Sequence, residues 1–359
     1  MNLLTPKKRV AVIFGGISPE HDVSIEGAEF FVKALTGSEY VPIPVYITRS
    51  GAWYIYSPRS SPVNIANGGA VGVSTYPVRL GCKSGFMLFG KILPVFAAVP
   101  LLHGEGGEDG VVQGVLKSAG IDYVGADTVA SSLAFNKAYT KTIAEALGIP
   151  TVPWIYLNRR IDAGVLDELV DKVEGELSYP VFVKPATLGS SFGCAAVYSK
   201  EELPGAVKAA GRLSDNKVIV ERMLEAPREL EVAYFEAKCE EIFTNPGEIN
   251  TKDGFYSFAE KYSRSSKASV SEAAPLDDAD TELILGYSKS LVRALGIRHI
   301  SRIDFFMSRG KIYFNEINTM PGMSEASLYP RLISRYGFSP KEMASELVGM
   351  AVKPYDRRV

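Results

Sequence analysis

The sequence predicts an α/β protein with two or three domains, and three observations lead to that prediction. The chain has 359 residues, of which 46% are hydrophobic, so it can bury more than one core. Its first apolar segment is followed by a glycine turn and a helical pattern, which together indicate the first unit of a parallel sheet. Towards the other end, residues 301–318 have the pattern of two β-strands joined by a tight turn.

The first predicted strand covers residues 8–14, KRVAVIF, and the helical pattern after it continues to Leu35. The connection between them, GGISPEHDVS, lacks the GxGxxG spacing of a dinucleotide-binding turn. Glu20 stands in this connection, after the carboxyl end of the strand, where open α/β sheets bind their ligands. We therefore expect its carboxylate to face a ligand crevice.

A second strand, predicted over residues 92–100, leads into a segment with five glycines between residues 104 and 114. Such a segment allows the backbone to approach a ligand closely. His103 begins it and is either an ordinary loop histidine or a ligand-facing one. Glu108 and Asp109 precede the next helix, and their position predicts that they cap its positive end.

Asp127 is a candidate N-cap for a single helix predicted over residues 129–147, with Lys137 in its middle. Lys184 lies inside the apolar segment YPVFVKP, where an unpaired ammonium is costly and a bound anion would remove the cost. The following loop, TLGSSFG, offers N–H groups and hydroxyls to phosphate oxygens without being a Walker A loop. The alternative is a plain hairpin whose lysine extends to the surface.

Residues 217–235 predict two strands around an irregular link. Residues 245–275 have low hydrophobicity and many Ser, Lys and Glu residues, which suits a mobile lid better than a core element. An amphipathic helix follows over residues 277–296, and the last helix ends near Val352.

The hairpin at residues 301–318 carries three oxygen ligands inside apolar strands: Asp304, Glu316 and Asn318. Carboxylate and amide oxygens suit Mg²⁺, which prefers to share its shell with substrate phosphates. Asp304 can face Glu316 only if the connection between the strands has an odd number of residues or if the hairpin carries a bulge. Asn318 then lies on the same face, beside Arg302. A solvated, structural hairpin face is the alternative, which the flanking FF and IYF segments disfavour.

Composition excludes several classes of protein. A net charge of −2 gives no indication of a nucleic-acid or anionic-membrane partner. Cys82, Cys194 and Cys239 are odd in number and widely spaced, which indicates reduced thiols in a cytoplasmic protein. No apolar run approaches the roughly 20 residues of a membrane span, so we expect no membrane association.

Six motifs in order resemble those of the ATP-grasp ligases, in particular the D-alanine–D-alanine ligase family: GGISPEHDVS, HGEGGEDG, FNK, VKPATLGSS, AEKY and RIDFF…NEINTMPG. The resemblance extends from Val10 to about Leu332. It implies an ATP-grasp fold of three α/β domains, at residues 1–125 (with the parallel sheet), 126–219 and 220–359. ATP would lie between the last two domains.

The resemblance also implies a reaction, in which ATP drives the joining of two D-alanines through an acylphosphate for peptidoglycan precursor synthesis. It implies two Mg²⁺ or Mn²⁺ ions and a homodimer. Two alternatives stay open. One is a related carboxylate–amine ligase with a different acceptor, and the other is a non-catalytic nucleotide- or amino-acid-binding protein.

Residue roles follow from the same resemblance. The ATP-binding residues would be Lys137, Lys184, Glu221, Met223, Leu224, Glu229 and Lys261. The metal ligands would be Asp304, Glu316 and Asn318. The substrate-binding residues would be Glu20, His103, Arg302, Gly322, Ser327 and Leu328. The catalytic residues would be Glu20, Ser190, Tyr262 and Arg302. Tyr262 would hydrogen-bond to Ser190, and because a tyrosine adds no positive charge it would favour an amine acceptor over D-lactate.

Overall fold

The described residues, 8–250 and 269–352 of the computed structural model, contain four β-sheets. The first sheet has the order β4-β3-β2-β1-β8. Its strands are β1 (Lys8–Gly15), β2 (Tyr40–Ile47), β3 (Trp53–Ile55), β4 (Val73–Ser74) and β8 (Ala97–Pro100). β1 pairs in parallel with β2 and β8, whereas β3 and β4 continue the sheet in antiparallel pairing. The predicted parallel sheet is therefore present at the centre of this unit.

A small antiparallel sheet lies beside the first one. It contains β5 (Pro77–Leu80), β6 (Lys83–Leu88) and β7 (Lys91–Leu93). The strand predicted over residues 92–100 is wrong as a single element, because its first part belongs to β7 and its last part to β8. Pro94 lies in the break, and a proline has no N–H to donate to a sheet. The helices of this part of the chain are α1 (His21–Ala34), α2 (Pro62–Ala66) and α3 (Val111–Ser118).

The helix predicted over residues 129–147 is two helices, α4 (Thr128–Phe135) and α5 (Lys137–Ala146). Asp127 caps α4 as predicted, since its side chain accepts two backbone N–H groups. Asn136 leaves the helical conformation with φ −92° and ψ 108°, and its side chain caps α5. Lys137 therefore begins a helix, and its N–H donates to the Ala186 carbonyl at 2.9 Å.

The second sheet is antiparallel and has the order β11-β10-β12-β9. Its strands are β9 (Trp154–Asn158), β10 (Val181–Pro185), β11 (Ala195–Val197) and β12 (Lys217–Arg222). Helices α6 (Ala163–Lys172), with a π-helical extension over Val173–Leu177, and α7 (Leu203–Leu213) supply apolar side chains to its core. The predicted domain limit between residues 219 and 220 falls inside β12.

The third sheet has the order β16-β15-β13-β17-β18, with β14 also paired to β13. Its strands are β13 (Arg228–Ala237), β14 (Glu240–Phe243), β15 (Gly247–Asn250), β16 (Ser269–Ser271), β17 (Ile300–Ser308) and β18 (Lys311–Asn318). The remaining helices are α8 (Asp278–Leu295), α9 (Leu328–Tyr336) and α10 (Pro340–Ala351). Because α9 and α10 contact β13 and α10 also contacts α1, the first and third sheets share one hydrophobic core.

The prediction that residues 245–275 contain no core element is wrong at both ends. β15 pairs with β13 and β16, and Ile249 is buried. The low hydrophobicity of the window comes mainly from the residues between these strands. Lys261 and Tyr262 lie there, outside the described residues. None of the helices described is long and apolar enough to cross a membrane.

Candidate active site

The β17–β18 hairpin brings the predicted metal ligands together. Arg309 and Gly310 at its turn both have positive φ, which matches the twist of a two-residue hairpin turn. The register places Asp304 opposite Glu316 and Asn318 opposite Arg302. A bulge follows Asp304, which is one of the two conditions under which the sequence allows this pairing. These four side chains therefore project from one face of the sheet.

Charges of both signs are packed closely on this face. Asp304 accepts hydrogen bonds from Arg302 Nε (2.8 Å) and Nη2 (2.7 Å), and from Asn318 Nδ2 (3.1 Å). Glu316 lies 3.0 Å from the Lys137 ammonium. The Nε atom of Arg302 also lies 3.3 Å from Glu231, a residue that sequence reasoning missed. Although burial alone lowers the pKa of Arg302, these carboxylates hold it above its ordinary value.

The donor set fits a hard divalent cation. It consists of two carboxylates and one amide on neighbouring strands, all offering oxygen. No group of three or more His, Cys, Asp or Glu side chains in the described ranges could hold a metal ion. The set is therefore incomplete as an all-protein cage, which suits an ion that completes its shell with phosphate oxygens and water. Such an ion has to compete with Arg302 and Lys137 for the carboxylates.

A cavity between the second and third sheets collects most of the predicted ATP-binding residues. Six of the seven line it: Lys137, Lys184, Glu221, Met223, Leu224 and Glu229. The seventh, Lys261, is outside the described residues. Phe182 and Phe306 supply apolar walls, and Asp304 and Glu316 line the end near the hairpin. The cavity thus combines an apolar part with a cationic part, which would suit a nucleotide, and we refer to it as the nucleotide cavity.

The prediction that Lys184 carries an unpaired ammonium is wrong. Its Nζ donates to Glu221 Oε2 at 2.6 Å, and Lys141 Nζ lies 2.9 Å from Glu221 Oε1. The three side chains are buried, with exposed fractions of 8% for Lys184, 2% for Glu221 and 0% for Lys141. Glu221 stands on β12, the strand next to β10, so the pairing joins neighbouring strands.

The pKa values follow from this geometry. Burial by itself raises the pKa of Glu221, but the two ammonium groups outweigh it and hold that pKa at about 2. Burial also disfavours the charged form of each lysine. At Lys184 the Glu221 carboxylate and other nearby groups outweigh burial, so its pKa is raised. At Lys141 burial, together with the neighbouring Lys184 charge, outweighs Glu221, so its pKa is lowered.

The loop between β10 and β11 connects the nucleotide cavity to the first sheet. Its Ser190 donates a hydrogen bond from Oγ to Glu20. The Lys137 ammonium donates to the Leu188 carbonyl of the same loop at 2.6 Å. Ser190 and Ser191 both have positive φ, which is strained for serine and is typical of functional loops.

A second cavity, of about 570 Å³, lies between the carboxyl edge of the first sheet and the hairpin. All six predicted substrate-binding residues line it: Glu20, His103, Arg302, Gly322, Ser327 and Leu328. Acidic side chains dominate the rest of its polar wall: Asp22, Glu26, Glu108, Glu231 and Glu316. Its size is typical of a small-ligand site, and its acidity suits ammonium groups. We refer to it as the amino-acid cavity.

His103 and Glu108 fasten this cavity to the strand end of β18. His103 Nδ1 lies 3.1 Å from the Met320 carbonyl and so carries the proton, while Nε2 is buried without a hydrogen-bond partner among the described residues. Burial lowers the pKa of His103, so the ring is neutral and Nε2 is an acceptor.

The predicted capping role of Glu108 is wrong, and only Asp109 fulfils it, by accepting the Val111 N–H at 3.0 Å. Glu108 instead accepts the N–H groups of Gly104 (3.0 Å) and Met320 (3.3 Å). It thereby ties the glycine loop to the third sheet. Burial and the nearby Glu20 raise the pKa of Glu108 to about 8.

Comparisons with known proteins agree with this geometry. Residues 9–126 match the family model described as D-ala D-ala ligase N-terminus, and residues 143–349 match D-ala D-ala ligase C-terminus. A D-alanine--D-alanine ligase of Thermoanaerobacter sp. (strain X514) is 35% identical, over 98% of each chain. The chain belongs to the D-alanine–D-alanine ligase family. With that family it shares the ATP-grasp fold.

Solved structures of the family superpose over almost the whole chain. The D-alanyl-alanine synthetase A of Vibrio cholerae is 30% identical with a TM-score of 0.83, covering 97% of this chain and 99% of that one. The VanG D-Ala:D-Ser ligase of Enterococcus faecalis is 32% identical with a TM-score of 0.84, covering 96% of this chain and 100% of that one. Relatives of this fold thus include ligases with different named acceptors.

Sequence reasoning missed two residues at or behind the cleft, Lys141 and Glu231, and it missed the linking function of Glu108. For Lys141 a signal existed, since it lies four residues after Lys137 and therefore on the same helix face. For Glu231 the signal was its place opposite Asp304 in the β13–β17 register, which only the structure supplies. Glu108 was mistaken because a local capping role also fitted its position.

Proposed function

We propose that this ligase joins two molecules of D-alanine into D-alanyl-D-alanine, with cleavage of ATP to ADP and phosphate, for the synthesis of peptidoglycan precursors. The observation that carries the proposal is that the nucleotide cavity and the amino-acid cavity meet. Glu231 and Glu316 line both of them. A phosphoryl group leaving a nucleotide in the first cavity can therefore reach a carboxylate held in the second.

In the first half of the reaction, Glu20 and the Nε2 acceptor of His103 hold the ammonium of the first D-alanine. Its carboxylate oxygen attacks the γ-phosphorus of ATP, the bond to the ADP oxygen breaks, and an acylphosphate forms. Lys137 and Lys184 stabilise the charge on the phosphate oxygens, because both line the nucleotide cavity. We assign two Mg²⁺ or Mn²⁺ ions to Asp304, Glu316 and Asn318, where they would supply charge neutralisation.

In the second half, the amine of the second D-alanine attacks the carbonyl carbon of the acylphosphate. Arg302 stabilises the oxyanion, the amine releases a proton, and phosphate departs. The carboxylate of the second D-alanine binds at Gly322, Ser327 and the start of α9, whose N–H groups favour an anion. Ser190, through its bond to Glu20, holds the β10–β11 loop over the first D-alanine and excludes water.

The acceptor is D-alanine in this proposal. Ile249, Val270 and Leu328 line the amino-acid cavity on the side of α9, and an apolar wall suits a methyl side chain. The role of Tyr262, which would disfavour D-lactate, and the role of Lys261 at the phosphates remain part of the proposal. The acceptor preference is tested by competition of D-alanine with D-serine and D-lactate.

The test is a measurement of ADP and phosphate release with ATP, Mg²⁺ and D-alanine, with the product identified by mass spectrometry. We expect one D-alanyl-D-alanine for each ADP, no reaction with L-alanine, and D-alanine incorporated ahead of D-serine and D-lactate in mixtures. Preferred incorporation of D-serine would make the chain a D-Ala:D-Ser ligase. ATP binding without phosphate release would favour a non-catalytic binding protein.

We further propose a cytoplasmic homodimer. The three cysteines are free, two of them exposed, which suits a reducing compartment. Large apolar side chains are exposed beside the small sheet and on α3, and such surfaces mark interfaces. They are Tyr76, Leu80, Phe89, Val111 and Val115. Sedimentation should give the mass of two chains, and Leu80→Glu should shift it to one; an unchanged mass would place the interface elsewhere.

A further inference from the structure

Lys141 is a buried cation for which the proposed reaction has no use. It lies one turn after Lys137 on α5, and its side chain is 0% exposed. Its ammonium lies 2.9 Å from Glu221 Oε1, and Glu221 is its only ion-pair partner within 4 Å among the residues described. Lys141 does not line the nucleotide cavity, whereas Glu221 and Lys184 do. It therefore stands behind Glu221 as seen from the nucleotide.

Two ammonium groups share the single Glu221 carboxylate, one on each oxygen. Lys141 uses Oε1, and Lys184 uses Oε2 at 2.6 Å. With Lys141 at Oε1, Lys184 meets the Glu221 carboxylate at the other oxygen. There its ammonium also lies 3.5 Å from Asn315 Oδ1 and over the rings of Phe182 and Phe306. The position of Lys184 is thus fixed from several sides.

The trio of Lys141, Glu221 and Lys184 carries a net charge of +1 when all three groups are ionised. Burying an uncompensated ammonium is costly, so a purely structural pair would use one lysine and one carboxylate. An anion bound in front of Lys184 would balance the extra charge. The surplus is therefore more easily explained by a phosphate-bearing ligand than by stability alone.

We propose that Lys141 is a positioning residue for ATP. It fixes the Glu221 carboxylate, which in turn directs the Lys184 ammonium into the nucleotide cavity, and its charge adds to the attraction for phosphate. This inference rests on the proposed nucleotide site and extends it to a residue that cannot touch the ligand.

The test uses Lys141→Met, which keeps the length of the side chain and removes its charge. The variant should fold, because Glu221 retains Lys184 as a partner. Because the charge of Lys141 and its ion pair with Glu221 are lost, the Kd for ATP, measured by calorimetry without amino acid, should rise about tenfold. The KM for D-alanine should stay unchanged. Lys208→Met, the same change at an exposed lysine of α7, is the control and should leave both values unchanged.

A double-mutant cycle with Glu221→Gln separates positioning from a structural role. If Lys141 acts through Glu221, Lys141→Met should have little further effect on ATP affinity in the Glu221→Gln background. A Kd within twofold of the wild type for Lys141→Met, with a lowered Tm, would overturn the proposal. If Lys141→Met does not fold, Lys141→Gln replaces it. A raised Kd for ATP then supports the proposal, and an unchanged Kd with a lowered Tm overturns it. Because ATP binding is measured directly, a chain that binds ATP without ligating would still give a result.

Discussion

The two halves of the cleft handle charge in opposite ways. In the nucleotide cavity and just behind it, the ammonium groups of Lys137, Lys141 and Lys184 all lie 3.0 Å or less from a carboxylate oxygen. In the amino-acid cavity two buried carboxylates, Glu20 and Glu108, accept hydrogen bonds from neutral donors. Glu20 accepts from the Ser190 hydroxyl, and Glu108 accepts from two backbone N–H groups.

This difference teaches how each half meets its ligand. On the nucleotide side three lysines share two carboxylates, Glu221 and Glu316, so in our proposal ATP would supply a further anionic partner. On the amino-acid side negative charge is in excess, and the ammonium of D-alanine would supply a cation. We expect nucleotide-side substitutions to change affinity with little change in stability, and amino-acid-side carboxylates to make stability depend on pH.

The largest expected effect is at the hairpin, where the two halves meet. Glu316→Gln removes a charge and a ligand oxygen from the proposed metal site, so kcat should fall by about a hundredfold or more. The fold should remain, because Lys137 still donates to the Leu188 carbonyl. Phosphate-release assays measure kcat, and circular dichroism checks that the fold is intact. The control is Glu282→Gln, the same change at an exposed residue of α8. Near-normal turnover would remove Glu316 from the metal site.

The second effect separates the halves. Glu20→Gln should raise the KM for D-alanine about ten- to a hundredfold, the value of a charge-assisted hydrogen bond, because the amide no longer balances an ammonium. The Kd for ATP should stay within about twofold of the wild type. Initial rates over a range of D-alanine concentrations, together with calorimetry for ATP, measure the two quantities. A variant that loses both affinities equally would show that the halves are not independent.

On the nucleotide side, Lys184→Met should weaken ATP binding about tenfold, since one charged contact with phosphate is lost. Because Lys141 still compensates Glu221, the free energy of unfolding should change by no more than about 1 kcal/mol. Urea denaturation of the ligand-free protein measures this. A loss of several kcal/mol with unchanged ATP affinity would make Lys184 a structural partner only.

The smallest effect concerns stability and pH on the amino-acid side. The pKa of Glu108 is raised from 4.5 to about 8, so the folded protein keeps a proton that the unfolded chain releases. The free energy of unfolding should therefore fall as pH rises from about 5 to 8, by about 1 to 3 kcal/mol. In Glu108→Gln this pH dependence of the free energy of unfolding should vanish, which urea denaturation at several pH values measures. If the free energy of unfolding falls equally with pH in the wild type and in Glu108→Gln, Glu108 ionises normally.

Features set by local pattern could be predicted from the sequence. The hairpin and the common face of Asp304, Glu316 and Asn318 follow from strand alternation and turn residues, with a bulge as one of two ways to pair them. The metal trio was also predicted from these residues, whereas most other site assignments came from the family resemblance. The structure brings together all of the assigned residues that it describes, in two cavities that meet.

Features set by distant partners could not be predicted. The break at Asn136 accompanies a hydrogen bond from Lys137 to Ala186 in the next lobe. The pairing of Lys184 with Glu221 depends on the register of two strands 37 residues apart in sequence. Glu108 bonds to Met320, 212 residues away, while a local capping role also fitted it. In each case a long-range contact decided between two locally acceptable conformations.

The central claim is that the carboxylate of the first D-alanine attacks ATP across the two joined cavities. Following a carboxylate oxygen of that D-alanine tests it most directly. D-Alanine labelled with ¹⁸O in its carboxylate is incubated with ATP and Mg²⁺, and the released phosphate is analysed by mass spectrometry. If the carboxylate attacks the γ-phosphorus in the joined cavities, each dipeptide formed transfers one ¹⁸O atom to phosphate. Unlabelled phosphate accompanying dipeptide would contradict the acylphosphate route and the roles given to the two halves of the cleft.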